Sequence, residues 1–181
     1  MSNMKLSPKG YCEIALYEGW CPRVYFDTVG VKTFGFGNTV SDIPYLNTWD
    51  MALEHSLEEG INIFKLALIK YVSAVNKSLK IDILQHQFDA IISVTYNIGI
   101  SGEEHSTFIK FINEAKNNKD IKDAIMMWNK PSEIIGRREK ECNLYLTGEY
   151  SNNGYVESLN TDSKGHQLKH TAKQIFIEDK F

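Results

Sequence analysis

Glu18 and Asp27 are the residues whose types and spacing suit joint acid–base chemistry, nine positions apart in a chain of 181. Splitting a glycosidic bond needs a proton for the departing oxygen and a second carboxyl across the sugar. The first must stay protonated through burial; the second must sit in a wetter setting. Glu18 closes an amphipathic helical pattern, where apolar neighbours would favour its neutral form. Asp27 lies in a polar, turn-rich stretch suited to an ionised carboxylate. Taken singly, each has a plainer explanation. A glutamate before glycine is a solvated helix end, and an aspartate before threonine is a turn former. Only as a pair do they point to chemistry.

The elements that must position them can be read along the chain. Ser7-Pro8 starts a helix, with a hydroxyl cap and proline at the first helical position. Tyr11, Ile14 and Ala15 follow at helical spacing, and Gly19 ends the element. Residues 20–40 carry Tyr25, Phe26, Val29, Val31, Phe34 and Phe36 among Gly30, Gly35 and Gly37, which predicts a small antiparallel sheet with tight turns. From Asn47-Thr48 a helical pattern runs to about Tyr71, with Gly60 inside it as a weak point. Within residues 82–98, Phe88, Ile91, Ile92, Val94 and Thr95 give an almost wholly apolar run, too short for a membrane and expected as a buried central helix. Shorter helices are expected over 106–115, 121–128 and 131–146. After Tyr150 the chain turns polar, and Lys173–Phe181 would add one strand.

The stretch from Glu18 to Gly37 resembles the phage-type lysozymes, the endolysins of T-even and lambdoid phages. It shows Glu-Gly, eight residues between the Glu and an Asp, five more to Thr33, then Gly35 and Gly37 as Gly-x-Gly. Further matches are Gln87–Gly99, Ser106-Thr107-Phe108, and Gly136-Arg137-Arg138-Glu139 leading to Leu144–Gly148. In order, they cover about residues 7–150. The resemblance implies an α+β lysozyme-like fold, a small antiparallel β lobe (about 20–45) and a larger helical lobe (7–19 and 47–150) with a cleft between. Residues 151–181 would be a C-terminal extension, read as a solvated tail with one added strand.

The resemblance also implies roles. Glu18 would be the general acid, Asp27 would activate water or stabilise an oxocarbenium-like transition state, and Thr33 would hold the attacking water. Arg137 would pair with the catalytic glutamate, while Arg138 and Lys140 read as surface charges. Tyr96 and Asn97 would contact sugar; Thr107 would do so too, although capping by Ser106 or Thr107 explains that dipeptide equally well. The expected reaction is hydrolysis of the β-1,4 bond between N-acetylmuramic acid and N-acetylglucosamine, as in a muramidase. A water held by Thr33 implies inversion, with the carboxyls roughly 6.5–9.5 Å apart; about 5 Å would mean retention. Rival readings are a lytic transglycosylase, which would not need Asp27 to position water, and a non-catalytic peptidoglycan-binding module. Where the family commonly has His after Gly-x-Gly, this chain has Asn38, expected to bond to the backbone.

Composition narrows the partners. The formal charge of -3 argues against nucleic acid. Attraction to an anionic wall would come from local patches such as Lys164, Lys169, His170 and Lys173. Cys12, Cys21 and Cys142 fit neither a disulfide framework nor a metal site and are expected as free thiols, a Cys12–Cys21 bridge being the alternative. His55, His86, His105, His166 and His170 show no ligand spacing, so no metal or cofactor is expected. With no signal-peptide core and no membrane-length run, the chain would be made in the cytoplasm. It would act as a monomer on peptidoglycan at the periplasm or wall. Holin-dependent release, or delivery by a secretion system with an immunity partner, would carry it there.

Overall fold

The computed structural model describes residues 3–181. These form two compact units. One comprises the chain up to Glu13 together with Ile69–Ser151, the other Ile14–Leu68 with Asn152–Phe181. The division therefore differs from a cut at residue 150. The chain passes between units within helices α1 (Pro8–Glu18) and α2 (Leu57–Ser78).

The first unit is built around α3 (Gln85–Ile98), whose residues Phe88–Thr95 are all buried. The apolar run of the sequence thus forms the expected central helix. Around it lie α4 (Ile100–Glu104), α5 (Thr107–Asn113), α6 (Asn118–Met126) and α7 (Ile135–Thr147). The short α4 had no clear pattern in the sequence; it starts after Gly99, at φ 82°. Ser7 caps α1 as expected, its Oγ accepting from Gly10 N at 3.0 Å. The same hydroxyl donates to buried Asp89, which also accepts from Tyr150 Oη at 2.6 Å. Gly10 is required here, since a Cβ would lie 2.6 Å from Asp89 Cγ.

A buried charge network ties α3 to α7. Ser93 Oγ donates to Glu141 Oε1 at 2.6 Å, and Arg137 Nε donates to the same oxygen at 3.0 Å. Arg138 pairs with Glu141 Oε2, donates to Asn97 Oδ1, and reaches Trp128 O at 2.8 Å. The expectation that Arg138 is a surface charge is corrected: it is fully buried. A guanidinium is tolerated there because a carboxylate, an amide oxygen and a carbonyl share its donors.

The second unit holds the end of α1, then β1 (Cys21–Phe26) and β2 (Lys32–Gly35), paired antiparallel with Tyr25 opposite Thr33. The α1 helix stops at Gly19, whose φ of 69° suits glycine and whose N–H bonds Ala15 O at 2.9 Å. Beneath the strands an aromatic core gathers Trp20, Phe34, Phe36 and Phe64, with adjacent ring centroids 5.0–5.8 Å apart.

The long helix does not begin at Asn47-Thr48. Leu46–Thr48 make one 3₁₀ turn, and α2 starts only at Leu57. Lys32 Nζ binds the carbonyls of Asn47 and Trp49, both at 3.1 Å, which a continuing helix would have used. Trp49 stacks on His55 at 4.6 Å, and Ser56 Oγ caps the true start through Glu59 N at 3.1 Å.

The single strand expected near the C-terminus is corrected to two: β3 (Tyr155–Thr161) and β4 (Gln167–Phe176) form an antiparallel hairpin. Asp162 makes its turn, accepting through Oδ1 from Lys164 N at 2.8 Å and His166 N at 2.9 Å. Donation by the His166 backbone and ring holds the Asp162 carboxyl down at about 2. Nor is the segment a solvated tail. Val156 and Ile177 are wholly buried, and Trp20 N donates to Glu157 O at 2.8 Å while Leu159 N donates to Trp20 O at 2.9 Å.

Two stability predictions follow from these contacts. At Gly60 a Cβ would sit 2.0 Å from the Trp20 ring, so Gly60→Ala should cost about 1–3 kcal/mol in urea unfolding; a variant as stable as the parent would mean the ring moves freely. Arg138→Leu removes the partner of Glu141 Oε2, leaving Arg137 and Ser93 on Oε1, and should cost about 3 kcal/mol. A loss under 1 kcal/mol would remove the network from the account of this unit.

Candidate active site

Glu18 is the last residue of α1, half-buried, and the Gly19 turn sends the chain directly into β1. Together with Gly19, Trp20 and Gly35 it borders a cavity of about 150 Å³. The expected end-of-helix position is therefore the wall of a cavity.

Asp27 follows β1 and closes the turn into β2. Its Oδ1 accepts from Val29 N at 3.0 Å and from Val31 N at 2.7 Å, and its own N–H bonds Val31 O at 3.0 Å. Gly30, at φ 82°, lets the turn close. The turn-former reading of Asp27 is thus true of one carboxyl oxygen. Oδ2 takes no part in these bonds. Thr33 lies in β2 and is buried, and its Oγ1 donates to Val31 O at 3.0 Å. One peptide neighbour, Val31, thereby orients both side chains: its N–H holds Asp27 and its carbonyl holds Thr33.

Tyr25 shows that the two carboxyls share a neighbourhood. It is 7% exposed, and burial pushes its phenol well above the usual range, with further upward contributions from Cys21, Glu18 and Asp27. Its hydroxyl therefore stays protonated. Sequence reasoning counted Tyr25 only as an apolar strand residue. The available signal was its place two residues before Asp27 and, by hairpin pairing, across from Thr33. Cys21 also borders the cavity, and burial raises its thiol to about 11, so it is neutral. Cys12, Cys21 and Cys142 are all buried, and none forms a disulfide.

The other residues singled out in the sequence belong to the first unit. Arg137 is largely buried and binds Glu141 Oε1 and, at 3.3 Å, Ser93 O. Tyr96 is half-buried with its ring 5.1 Å from that of Tyr71. Asn97 is exposed, with its Oδ1 engaged by Arg138. Thr107 opens α5, and Ser106 supplies the cap, accepting from Ile109 N at 3.2 Å. Asn38 departs from its expectation. Its main chain pairs with Phe34 in both directions, at 2.8 and 2.9 Å, while its buried side-chain amide has no hydrogen-bond partner among the described residues. The side-chain amide is therefore not a backbone tether.

Comparison with known proteins places the chain in a family. The sequence model of the family described as phage lysozyme matches residues 15–141. The endolysin of Bacillus phage B103 is 30% identical over 188 residues, covering 95% of this chain and 68% of its own length. Among solved structures, the endolysin from Escherichia coli O157:H7 phage FAHEc1 superposes with a TM-score of 0.75 at 31% identity, covering 83% of this chain and 99% of its own. The muramidase domain of SpmX from Asticcacaulis excentricus superposes with a TM-score of 0.69 at 26% identity, covering 79% and 98% respectively. The fold is thus lysozyme-like and α+β, as the sequence resemblance implied. Carrying the family's sequence over most of its length, this chain belongs to the phage lysozyme family and is a peptidoglycan-cleaving glycoside hydrolase of the muramidase kind.

Proposed function

We propose that Glu18, Asp27 and Thr33 divide between them the hydrolysis of the β-1,4 bond joining N-acetylmuramic acid to N-acetylglucosamine. The observation that carries this reading is the shared tether at Val31, which leaves Asp27 and Thr33 each with one unspent function. Thr33 spends its proton on Val31 O, so toward a water its Oγ1 can only accept. Asp27 spends Oδ1 on two N–H groups, so Oδ2 remains to take the other hydrogen of the same water. A water accepted by both directs its lone pair away from them, toward the anomeric carbon. Glu18 protonates the departing glycosidic oxygen, and Asp27 takes the water's proton as the new C–O bond forms. With water as the direct nucleophile, the outcome is inversion.

Carried over by resemblance, Arg137 serves as charge partner to the acid, and Tyr96, Asn97 and Thr107 contact the glycan. Asn97 retains its amide N–H groups for that purpose, since only its oxygen is engaged by Arg138. The cellular setting also belongs to this proposal: a monomer reaching the wall through holin-dependent release, or as a delivered effector met by an immunity partner. No helix among the described residues is long and apolar enough to cross a membrane.

Glu18→Gln should lower the clearing of permeabilised Gram-negative cells by at least ~10²–10⁴-fold with an unchanged melting temperature. Clearing at the parental rate would remove Glu18 as the acid. Asp27→Ala should cost a comparable factor, whereas Thr33→Ser should retain most of the activity that Thr33→Ala loses, because only the hydroxyl is used. Equal rates for Thr33→Ala and the parent would dismiss the water-holding role.

A further inference from the structure

Strand β3 passes the cavity beside Glu18 and continues away from it. Glu157 and Leu159 border that cavity, as Glu18 does. Along β3, Tyr155, Glu157 and Leu159 lie on one face, and the buried Val156 and Ser158 lie on the other. The outward face runs from the cavity to a pair of aromatic rings. Tyr155 stands opposite Phe176 across the hairpin, with ring centroids 5.1 Å apart, and the two are 42% and 44% exposed. The next rung on this face pairs Glu157 with Gln174, both exposed. Tyr155, Glu157, Gln174 and Phe176 lie beyond residue 141, where the match to the family's sequence model ends.

The two rings are fixed in place without being buried. A Cβ on Gly154 would lie 2.5 Å from Phe176 Cε2, so glycine lets that ring settle on the main chain. Ile177, the next residue, is buried, and its N–H bonds Gly154 O at 2.8 Å. Tyr155 N donates to Asn153 Oδ1 at 3.2 Å. A preorganised aromatic pair left in water marks a contact surface more than a packing one. With a carboxylate and an amide on the adjoining rung, the surface matches the chemistry of a sugar chain. The C–H groups of a pyranose face pack on an aromatic ring, and its hydroxyls bond to carboxylate and amide. The strand supplies continuity with the cavity, since Tyr155 and Leu159 are about 13 Å apart along β3.

We propose that Tyr155, Phe176, Glu157 and Gln174 form an outlying platform for the glycan strand whose scissile bond lies at Glu18. Tyr155 and Phe176 stack against a sugar ring, and Glu157 and Gln174 bond to its hydroxyls. The platform retains a long strand on the enzyme and takes no part in breaking the bond. This inference rests on Glu18 marking the place of cleavage.

The test uses the full chain carrying Tyr155→Thr with Phe176→Thr, which keeps β-forming residues in both strands, and separately Gln174→Ala. Far-ultraviolet dichroism and melting temperature check that the hairpin still folds. On purified sacculi the double variant should raise KM roughly 10-fold and Gln174→Ala about 3-fold, with the loss in KM and not in kcat. On muropeptide fragments too short to reach from Glu18 to Tyr155 the losses should be much smaller, so the preference for long strands shrinks. Sedimentation of the Glu18→Gln chain with sacculi, with and without the double substitution, reads the platform apart from turnover. There the double substitution should weaken Kd roughly 10-fold. Unchanged sacculus binding and KM would overturn the platform, and so would equal losses on long and short substrates. A concentration-dependent dimer lost in the double variant, with glycan binding unchanged, would instead assign the face to a second copy of this chain. If Glu18→Gln still clears cells, the catalytic reading fails, while the binding comparison still decides the platform.

Discussion

Trp20 is the contact on which this architecture turns. Its backbone joins the C-terminal hairpin through bonds to Glu157 and Leu159, while its ring fills the space left by Gly60 and packs on Phe34 and Phe36. It stands two residues after Glu18, separated only by the Gly19 turn. Any displacement of the ring therefore moves the end of α1, where the acid resides. At 5% exposure it buries a large apolar area, and its two main-chain bonds spare the peptide a desolvation cost. The same residue thus links the aromatic core, the acid and the added hairpin.

The two units handle buried polarity by different means. In the helical unit, Glu141 is fully enclosed and is balanced by Arg137, Arg138 and Ser93. Each donor offsets part of the desolvation of the others, so the network is stable only as a set. In the β-containing unit, the groups near the acid are kept neutral or tethered. Burial and neighbouring acidic groups hold the Tyr25 phenol in its protonated form, and Asp27 is fixed by backbone N–H groups with no cation among those bonds. Backbone tethers orient a carboxylate while leaving its second oxygen available, which a salt bridge to both oxygens would not.

What could be read from the sequence was what local chemistry decides. Ser7-Pro8 and Gly19 mark the ends of α1 because caps and positive φ are properties of single residues. The register of Asp27 with Thr33 follows from a short hairpin whose turn residues are explicit. The start of α2 is not legible locally because Lys32, distant in sequence, takes the carbonyls of Asn47 and Trp49. The burial of Arg138 is hidden from the sequence because its partners Asn97 and Trp128 lie on other segments of the fold. The C-terminal hairpin has a visible turn signal in Asp162–Gly165, but its packing against β1 rests on main-chain bonds to residues distant in sequence. Tyr25 escaped notice since a tyrosine in a strand is ordinarily a packing residue.

The central claim is that a water held by Asp27 and Thr33 attacks the sugar while Glu18 protonates the leaving group. Digestion of sacculi in H₂¹⁸O, followed by mass spectrometry of the fragments and early NMR of the new anomeric centre, tests it most directly. The account predicts a reducing N-acetylmuramic acid end that carries one ¹⁸O at its anomeric carbon and appears first as the α-anomer. A 1,6-anhydro product without label would contradict it.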